Sequence, residues 1–136
     1  MKKVISIMAA LLMCFSFSVP LSAATVSFNM VQPLYDLAND AQSKLTISGT
    51  TATCKSTVIG DSGVTRIVAV QTLEKQNFLW FWETYDNTTW TNTVYSNTLV
   101  MSNTKTGIES GNYRLKTVFT LTNSQGKSET ITVYSD

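Results

Sequence analysis

Apolar and polar residues alternate with a period of two along much of the chain, which is the pattern of half-buried β-strands. Residues 106–136 show it best, and there the alternation predicts a strand, a tight turn and a returning strand. The inward face of the first strand is predicted to hold Tyr113, Leu115, Thr117, Phe119 and Leu121. On the returning strand, the apolar positions are Ile131 and Val133. The chain is therefore predicted to end in a hairpin that buries one face.

The turn of this hairpin decides how its two strands pair. A three-residue loop, Ser124–Gly126, with Gly126 in the left-handed region, forms a type I turn followed by a bulge. This loop places Phe119 opposite Ile131, so that the apolar residues of both strands lie on one face. A two-residue loop would turn the two apolar faces apart. We therefore predict the three-residue loop.

Similar alternation predicts more strands upstream. Val64–Lys75 has apolar residues on both faces, which is typical of a central strand. Asp86–Thr89 is predicted to be a loop and Asn103–Gly107 a turn, because both are rich in turn-forming residues. The remaining predicted strands are Leu45–Ile47, Thr51–Val58, Trp90–Tyr95 and one around Leu99–Met101. About seven short strands at this spacing predict an all-β antiparallel sandwich.

Phe78–Tyr85 is an aromatic run that a strand of a sandwich cannot bury completely. Read as a strand, it points Phe78, Trp80 and Trp82 to one face and its other large side chains to the opposite face. In the default interpretation, the run is core and residues 25–40 cover its second face. In the alternative, an exposed face binds a sugar ring or anchors a protein partner. The candidate binding residues are Trp80, Trp82, Tyr85, Asp86, Asn87 and Trp90.

The N-terminus has the features of an export signal. Lys2 and Lys3 precede an apolar stretch that ends in Ser22-Ala23-Ala24, a typical cleavage site. We predict a cleaved signal peptide over residues 1–24 and a secreted, extracellular protein. Residues 25–44 are predicted to form an N-terminal arm, with Phe28–Tyr35 as a candidate edge strand, and residues 45–136 the sandwich domain.

Charge and composition exclude several classes of function. Without Lys2 and Lys3, the 10 basic and 9 acidic residues become 8 and 9, so neither a nucleic-acid nor a membrane partner is expected. The chain has no histidine, which excludes a Ser-His-Asp triad and imidazole metal sites. Carboxylates such as Glu74 and Glu109 show no spacing that selects a catalytic pair. We expect no enzymatic activity, no cofactor and no metal.

Cys54 is the single cysteine downstream of residue 24, so the predicted mature chain cannot form an internal disulfide. It shares a strand face with Ala52 and Val58, which favours a buried thiol. Pairing with a second chain is the alternative.

Glu109–Leu115 has the form acidic–Ser–Gly–x–Tyr–x–apolar and resembles the tyrosine corner of immunoglobulin-like domains. In such domains a cysteine stands two residues after the tyrosine, at the position that Leu115 occupies here. Cys54 lies where the first cysteine of that pair would be. The resemblance implies an immunoglobulin-like sandwich without the inter-sheet disulfide, in which Cys54 packs against Leu115.

The chain is also similar to a family of small secreted proteins of unknown function from Gram-positive bacteria. The stretches that carry the similarity are Ala52–Cys54, Val58–Asp61, Gln71–Lys75, Trp90–Val94 and Gly111–Lys116. The resemblance implies a fold and supplies no catalytic residue. We predict a non-catalytic binding or structural module that contacts a protein or surface partner. The alternative is a carbohydrate-binding module with an exposed aromatic platform.

Overall fold

A computed structural model describes residues 34–135, and the alternating segments of this part of the chain form seven strands. The strands are β1 (Ala38–Ser48), β2 (Thr51–Gly60), β3 (Val64–Gln76), β4 (Trp82–Val94), β5 (Thr98–Thr106), β6 (Tyr113–Asn123) and β7 (Ser128–Tyr134). The predicted signal peptide and most of the predicted arm, including nearly all of Phe28–Tyr35, lie outside the described residues.

The strands form two antiparallel sheets that pack against each other. One sheet has the order β1-β2-β5 and the other the order β4-β3-β6-β7. The predicted all-β antiparallel sandwich of about seven strands is therefore confirmed. β3 lies inside the larger sheet and pairs with both β4 and β6, as predicted for a central strand.

The core consists of two clusters of buried side chains. The larger contains Val58, Ile67, Leu99, Phe119 and Ile131 among others. The second contains Ala52, Cys54, Leu73, Ile108 and Leu115. Cys54 has a free thiol and no exposed surface, so its predicted burial is confirmed. Its membership of the same cluster as Leu115 agrees with the packing that the immunoglobulin resemblance implied.

The predicted register of the last hairpin is also confirmed. Phe119 pairs with Ile131, and Thr117 pairs with Val133. The Asn123 N–H donates to the Lys127 carbonyl at 3.0 Å, which closes the three-residue loop. Gly126 has a φ of 81°, the left-handed conformation that the bulge requires.

Tyr113 makes the hydrogen bond that defines a tyrosine corner. Its hydroxyl donates to the backbone carbonyl of Glu109 at 2.8 Å. The bond ties the start of β6 to the segment that leads into it from β5.

A chain of hydrogen-bonded polar side chains, which we call the polar belt, crosses the interior between the sheets. The Thr117 hydroxyl lies 2.7 Å from that of Ser56 and 3.0 Å from that of Ser43. The Gln71 amide donates to Ser56 at 2.7 Å and accepts from Asn103 at 2.8 Å. These residues come from five different strands, so the belt links both sheets. In the described part of the chain, no buried side-chain nitrogen or oxygen lacks a partner.

Several predicted strand boundaries are wrong. β1 begins at Ala38, before the predicted start of the sandwich at residue 45, and the Leu45–Ile47 strand is part of it. β5 continues to Thr106 through the predicted Asn103–Gly107 turn. The Phe78–Tyr85 run is a strand only from Trp82 onward. For β1 and β5, pairing with neighbouring strands outweighed local residue preference.

The predicted loop Asp86–Thr89 lies inside β4 as a bulge. Between the pairs Thr72–Thr89 and Glu74–Thr84, a single β3 residue faces four residues of β4. Asp86 and Asn87 have φ values of 24° and 50°, which short polar side chains tolerate better than other residues. The prediction that these residues interrupt the strand is correct, but β4 continues to pair with β3 on both sides of them.

Candidate functional site

The loop between β3 and β4, which we call the hairpin tip (residues 77–81), presents a patch of large apolar side chains to solvent. The exposed fractions are 89% for Phe78, 56% for Leu79, 76% for Trp80 and 65% for Phe81. Four consecutive large apolar residues at this exposure are unusual in a soluble domain. These four residues are therefore not core of the described domain, and the predicted cover, residues 25–40, lies mostly outside the described residues.

Asn77 holds the hairpin tip in one conformation. Its side-chain oxygen accepts the N–H groups of Leu79 and Phe81 at 2.9 and 3.0 Å. Its backbone N–H donates to the Phe81 carbonyl at 2.8 Å, and its carbonyl accepts from the Trp80 N–H at 3.0 Å. The side-chain amide also donates to Glu83 at 2.7 Å. The tip is thus an ordered turn whose backbone donors are largely used internally.

The same set of hydrogen bonds forms the last hairpin. There the Asn123 side-chain oxygen accepts the N–H groups of Gln125 and Lys127, and its carbonyl accepts from Gly126. The position of Gly126 is taken in the hairpin tip by Trp80, whose φ is 68°. A bulky residue rarely adopts this left-handed conformation, because its Cβ crowds the backbone. The tip therefore carries a tryptophan where the turn itself favours glycine.

Trp82, the first residue of β4, lies outside the hairpin tip and is half-buried. The Arg114 guanidinium stacks on its ring, 4.5 Å from the ring centroid, and lies 4.3 Å from that of Tyr134. The same guanidinium donates to Glu74 at 2.6 Å. The Trp82 ring is therefore engaged in a cation–π contact with Arg114 within the domain.

Tyr85 and Trp90 pack against the core. Tyr85 lies edge-on to Tyr113, with ring centroids 5.3 Å apart and an interplanar angle of 87°. Trp90 contacts both core clusters. Tyr85 also lines a cavity beside the hairpin tip, together with Phe78.

Asp86 and Asn87 are exposed on the β4 bulge. Asp86 pairs with Lys105 at 3.2 Å. Thr88, the last residue of the bulge, is buried, and its hydroxyl lies within hydrogen-bonding distance of the carbonyls of Leu73 and Tyr85. The bulge is therefore anchored to β3 by a side chain that the sequence did not single out.

The structure brings the predicted binding residues only partly together. Tyr85 and Asp86 line one cavity with Phe78 of the hairpin tip. Trp82, Asn87 and Trp90 are not among the residues that line it. Trp80 alone of the predicted rings belongs to the exposed patch. Phe78, Leu79 and Phe81, which share this patch, were not predicted as site residues. The signal that could have found them is the spacing from Asn77 to Phe81, which repeats that from Asn123 to Lys127.

Charges beside the hairpin tip are paired within the domain. Lys75 lies 2.8 Å from Glu109, and this hydrogen bond raises the pKa of Lys75 and lowers that of Glu109. The Lys75 ammonium also lies 5.7 Å from the ring centroids of Tyr85 and Tyr113. Burial raises the pKa of Tyr113.

Two shallow cavities flank the hairpin tip. One, of about 470 Å³, is lined by Lys75, Phe78 and Glu83 among others, and the second, of about 310 Å³, by Phe78, Trp80 and Asn112 among others. Across residues 34–135, no group of three His, Cys, Asp or Glu side chains is placed to hold a metal ion. The described part of the chain also contains no helix of sufficient length and hydropathy to cross a membrane.

No protein-family model matches the chain, and a comparison with curated proteins finds no match either.

Proposed function

We propose that this protein is a secreted, non-catalytic binding module that contacts a protein or surface partner through its hairpin tip. The observation that carries the proposal is the placement of Trp80 in a left-handed position of an exposed turn. A turn selected only to connect β3 and β4 would favour glycine or asparagine there. Backbone strain of this kind is concentrated at functional sites.

The order of the hairpin tip supports the same function. Binding costs free energy for each loop and side chain that becomes fixed in the complex. The hydrogen bonds of Asn77 fix the turn before any partner arrives. The tip can therefore present Phe78 and Trp80 as preorganised anchors, the type of residue that contributes most to binding at interfaces.

The carbohydrate-binding alternative has weaker support. A sugar-binding platform needs exposed rings on one surface with hydroxyl-bonding groups beside them. Trp82 stacks on Arg114, and Trp90 packs against the core. Asp86 pairs with Lys105 on the bulge.

Binding of the fluorescently labelled protein to intact cells of the producing organism tests the proposal. We expect saturable binding that falls at least about tenfold in Phe78→Ser, because an exposed anchor contributes directly to affinity. The matched control is Tyr95→Ser, because Tyr95 is 84% exposed and follows the opposite end of β4. Equal loss in both variants, or no saturable binding of the unaltered protein, would contradict the proposal.

A further inference from the structure

We propose that the partner surface is a lipid bilayer, and that the hairpin tip inserts its four apolar side chains into the bilayer interface. This inference rests on the proposed function and specifies its partner. Trp and Phe side chains are favoured at the boundary between headgroups and acyl chains.

The backbone of the hairpin tip is suited to a medium that offers few hydrogen bonds. A group that leaves water for lipid must find its partner within the protein. The N–H groups of Asn77, Leu79, Trp80 and Phe81 all donate to acceptors inside the turn. The Trp80 carbonyl accepts from the side-chain amide of Gln76 at 3.3 Å. Insertion therefore leaves few additional polar groups without a partner.

The side chains of the hairpin tip favour lipid over a protein partner. Protein interfaces combine apolar anchors with about ten direct hydrogen bonds that fix orientation. The indole N–H of Trp80 is the one side-chain hydrogen-bonding group among residues 78–81. The patch therefore offers apolar contact area and almost no hydrogen-bonding groups. This suits a lipid surface, because insertion into lipid requires no specific hydrogen bonds.

The charges beside the tip predict which lipids it binds. No charged residue lies between Lys75 and Glu83 in the sequence. Lys75 pairs with Glu109, and Glu83 accepts a hydrogen bond from Asn77. Insertion therefore needs no anionic headgroup. The expectation of no membrane partner rested on the absence of a basic excess, which bears only on electrostatic attraction.

The test measures co-flotation with vesicles of phosphatidylcholine alone and of phosphatidylglycerol alone, together with tryptophan emission. We expect the predicted mature chain, residues 25–136, to bind both lipids within about threefold of each other, because Lys75, the cation beside the tip, is paired with Glu109. Added salt should not release it. Phe78→Ser should weaken binding on the order of tenfold, whereas Tyr95→Ser should not change it.

Trp80→Phe separates insertion from adsorption. Trp80 is exposed, whereas Trp82 and Trp90 are half-buried, so Trp80 should report the change of environment. The unaltered protein should show a blue shift of emission on vesicles. Trp80→Phe should still float with them but lose most of the shift, because phenylalanine keeps the apolar contact.

Failure of this inference differs from failure of the proposed function. Absence of flotation on both lipids, or flotation that requires phosphatidylglycerol and is reversed by salt, overturns the bilayer as partner. If binding to intact cells then persists and is abolished by treating the cells with protease, the partner is a protein and the proposed function stands. If neither vesicles nor cells bind the protein, both are overturned.

Discussion

At the scale of single residues, asparagine controls two turns of this domain in the same way. Asn77 and Asn123 each accept two N–H groups from the loop that follows and pair with the residue four positions on. The loop closed by Asn123 was predictable, because Gly126 marks its left-handed position. The loop closed by Asn77 was not, because Trp80 at the equivalent position hides the turn signal within an apolar run.

Tyr113 provides the first prediction at this scale. Tyr113→Phe removes the hydroxyl that donates to the Glu109 carbonyl and keeps the ring that packs on Tyr85. We expect the free energy of unfolding to fall by about 1 kcal/mol, the net worth of one hydrogen bond. Denaturant unfolding measures it, with Tyr95→Phe as the exposed control. An unchanged midpoint would remove the tyrosine corner from the account of stability.

Cys54 provides the second prediction at this scale, which concerns how the free energy of unfolding depends on pH. Burial raises the pKa of its thiol from 9.0 to about 11. Between these values unfolding releases a proton, because the thiol ionises in the unfolded chain and stays neutral in the folded one. Its contribution to stability is therefore complete below pH 9 and is lost as the pH rises toward 11.

The comparison of the unaltered protein with Cys54→Ala isolates this effect, because Lys75 and Tyr113, whose pKa values are also raised, are present in both. The difference in free energy of unfolding should shrink by about 1.4 kcal/mol per pH unit between pH 9 and 11. If the free energies of unfolding of the two proteins change in parallel between pH 9 and 11, the thiol is accessible to water. Slow alkylation of the native thiol by iodoacetamide would support its burial.

At the scale of the elements, alternation predicted the strands well where one face is buried and poorly where pairing is irregular. β2 and β6 follow their predicted inward faces, since each packs one side against the opposite sheet. β4 was divided into an aromatic strand, a loop and a short strand. Its bulge and its bonding to β3 depend on contacts distant in sequence, such as that of Thr88 with Leu73, which alternation does not encode.

The polar belt was also beyond sequence reasoning. Thr117 was predicted to lie on an inward face, but nothing in the spacing of the chain pairs it with Ser56 across the two sheets. The belt separates the two apolar clusters and gives each sheet fixed partners in the other. A buried polar chain with every bond formed can favour one packing arrangement, because a shifted one would leave groups unbonded.

Thr117→Val tests the polar belt. Valine has nearly the same shape but removes the hydroxyl that bonds both Ser43 and Ser56. We expect a loss of about 1–3 kcal/mol, since buried hydroxyls are left without their partner. The control is Thr132→Val, an isosteric change at an exposed position of β7 that should stay within about 0.5 kcal/mol. Equal effects of the two substitutions would show that the belt contributes no stability.

At the scale of the whole molecule, the described domain is a scaffold that presents four consecutive exposed apolar side chains at one end of β3 and β4. The final hairpin, the tyrosine corner and the polar belt stabilise the sandwich. The sequence was sufficient to identify the scaffold and to place the candidate site in the aromatic run. It could not show which rings are exposed, because that depends on where the chain turns.

The measurement that tests the central claim most directly is the effect of Trp80→Gly on both stability and binding. Glycine adopts the left-handed conformation without strain, and Trp80 is too exposed to contribute much burial. We predict that the free energy of unfolding rises by about 0.5–1 kcal/mol while binding to cells falls at least about tenfold. A variant that is less stable than the unaltered protein, or that binds as well as it does, would contradict the account.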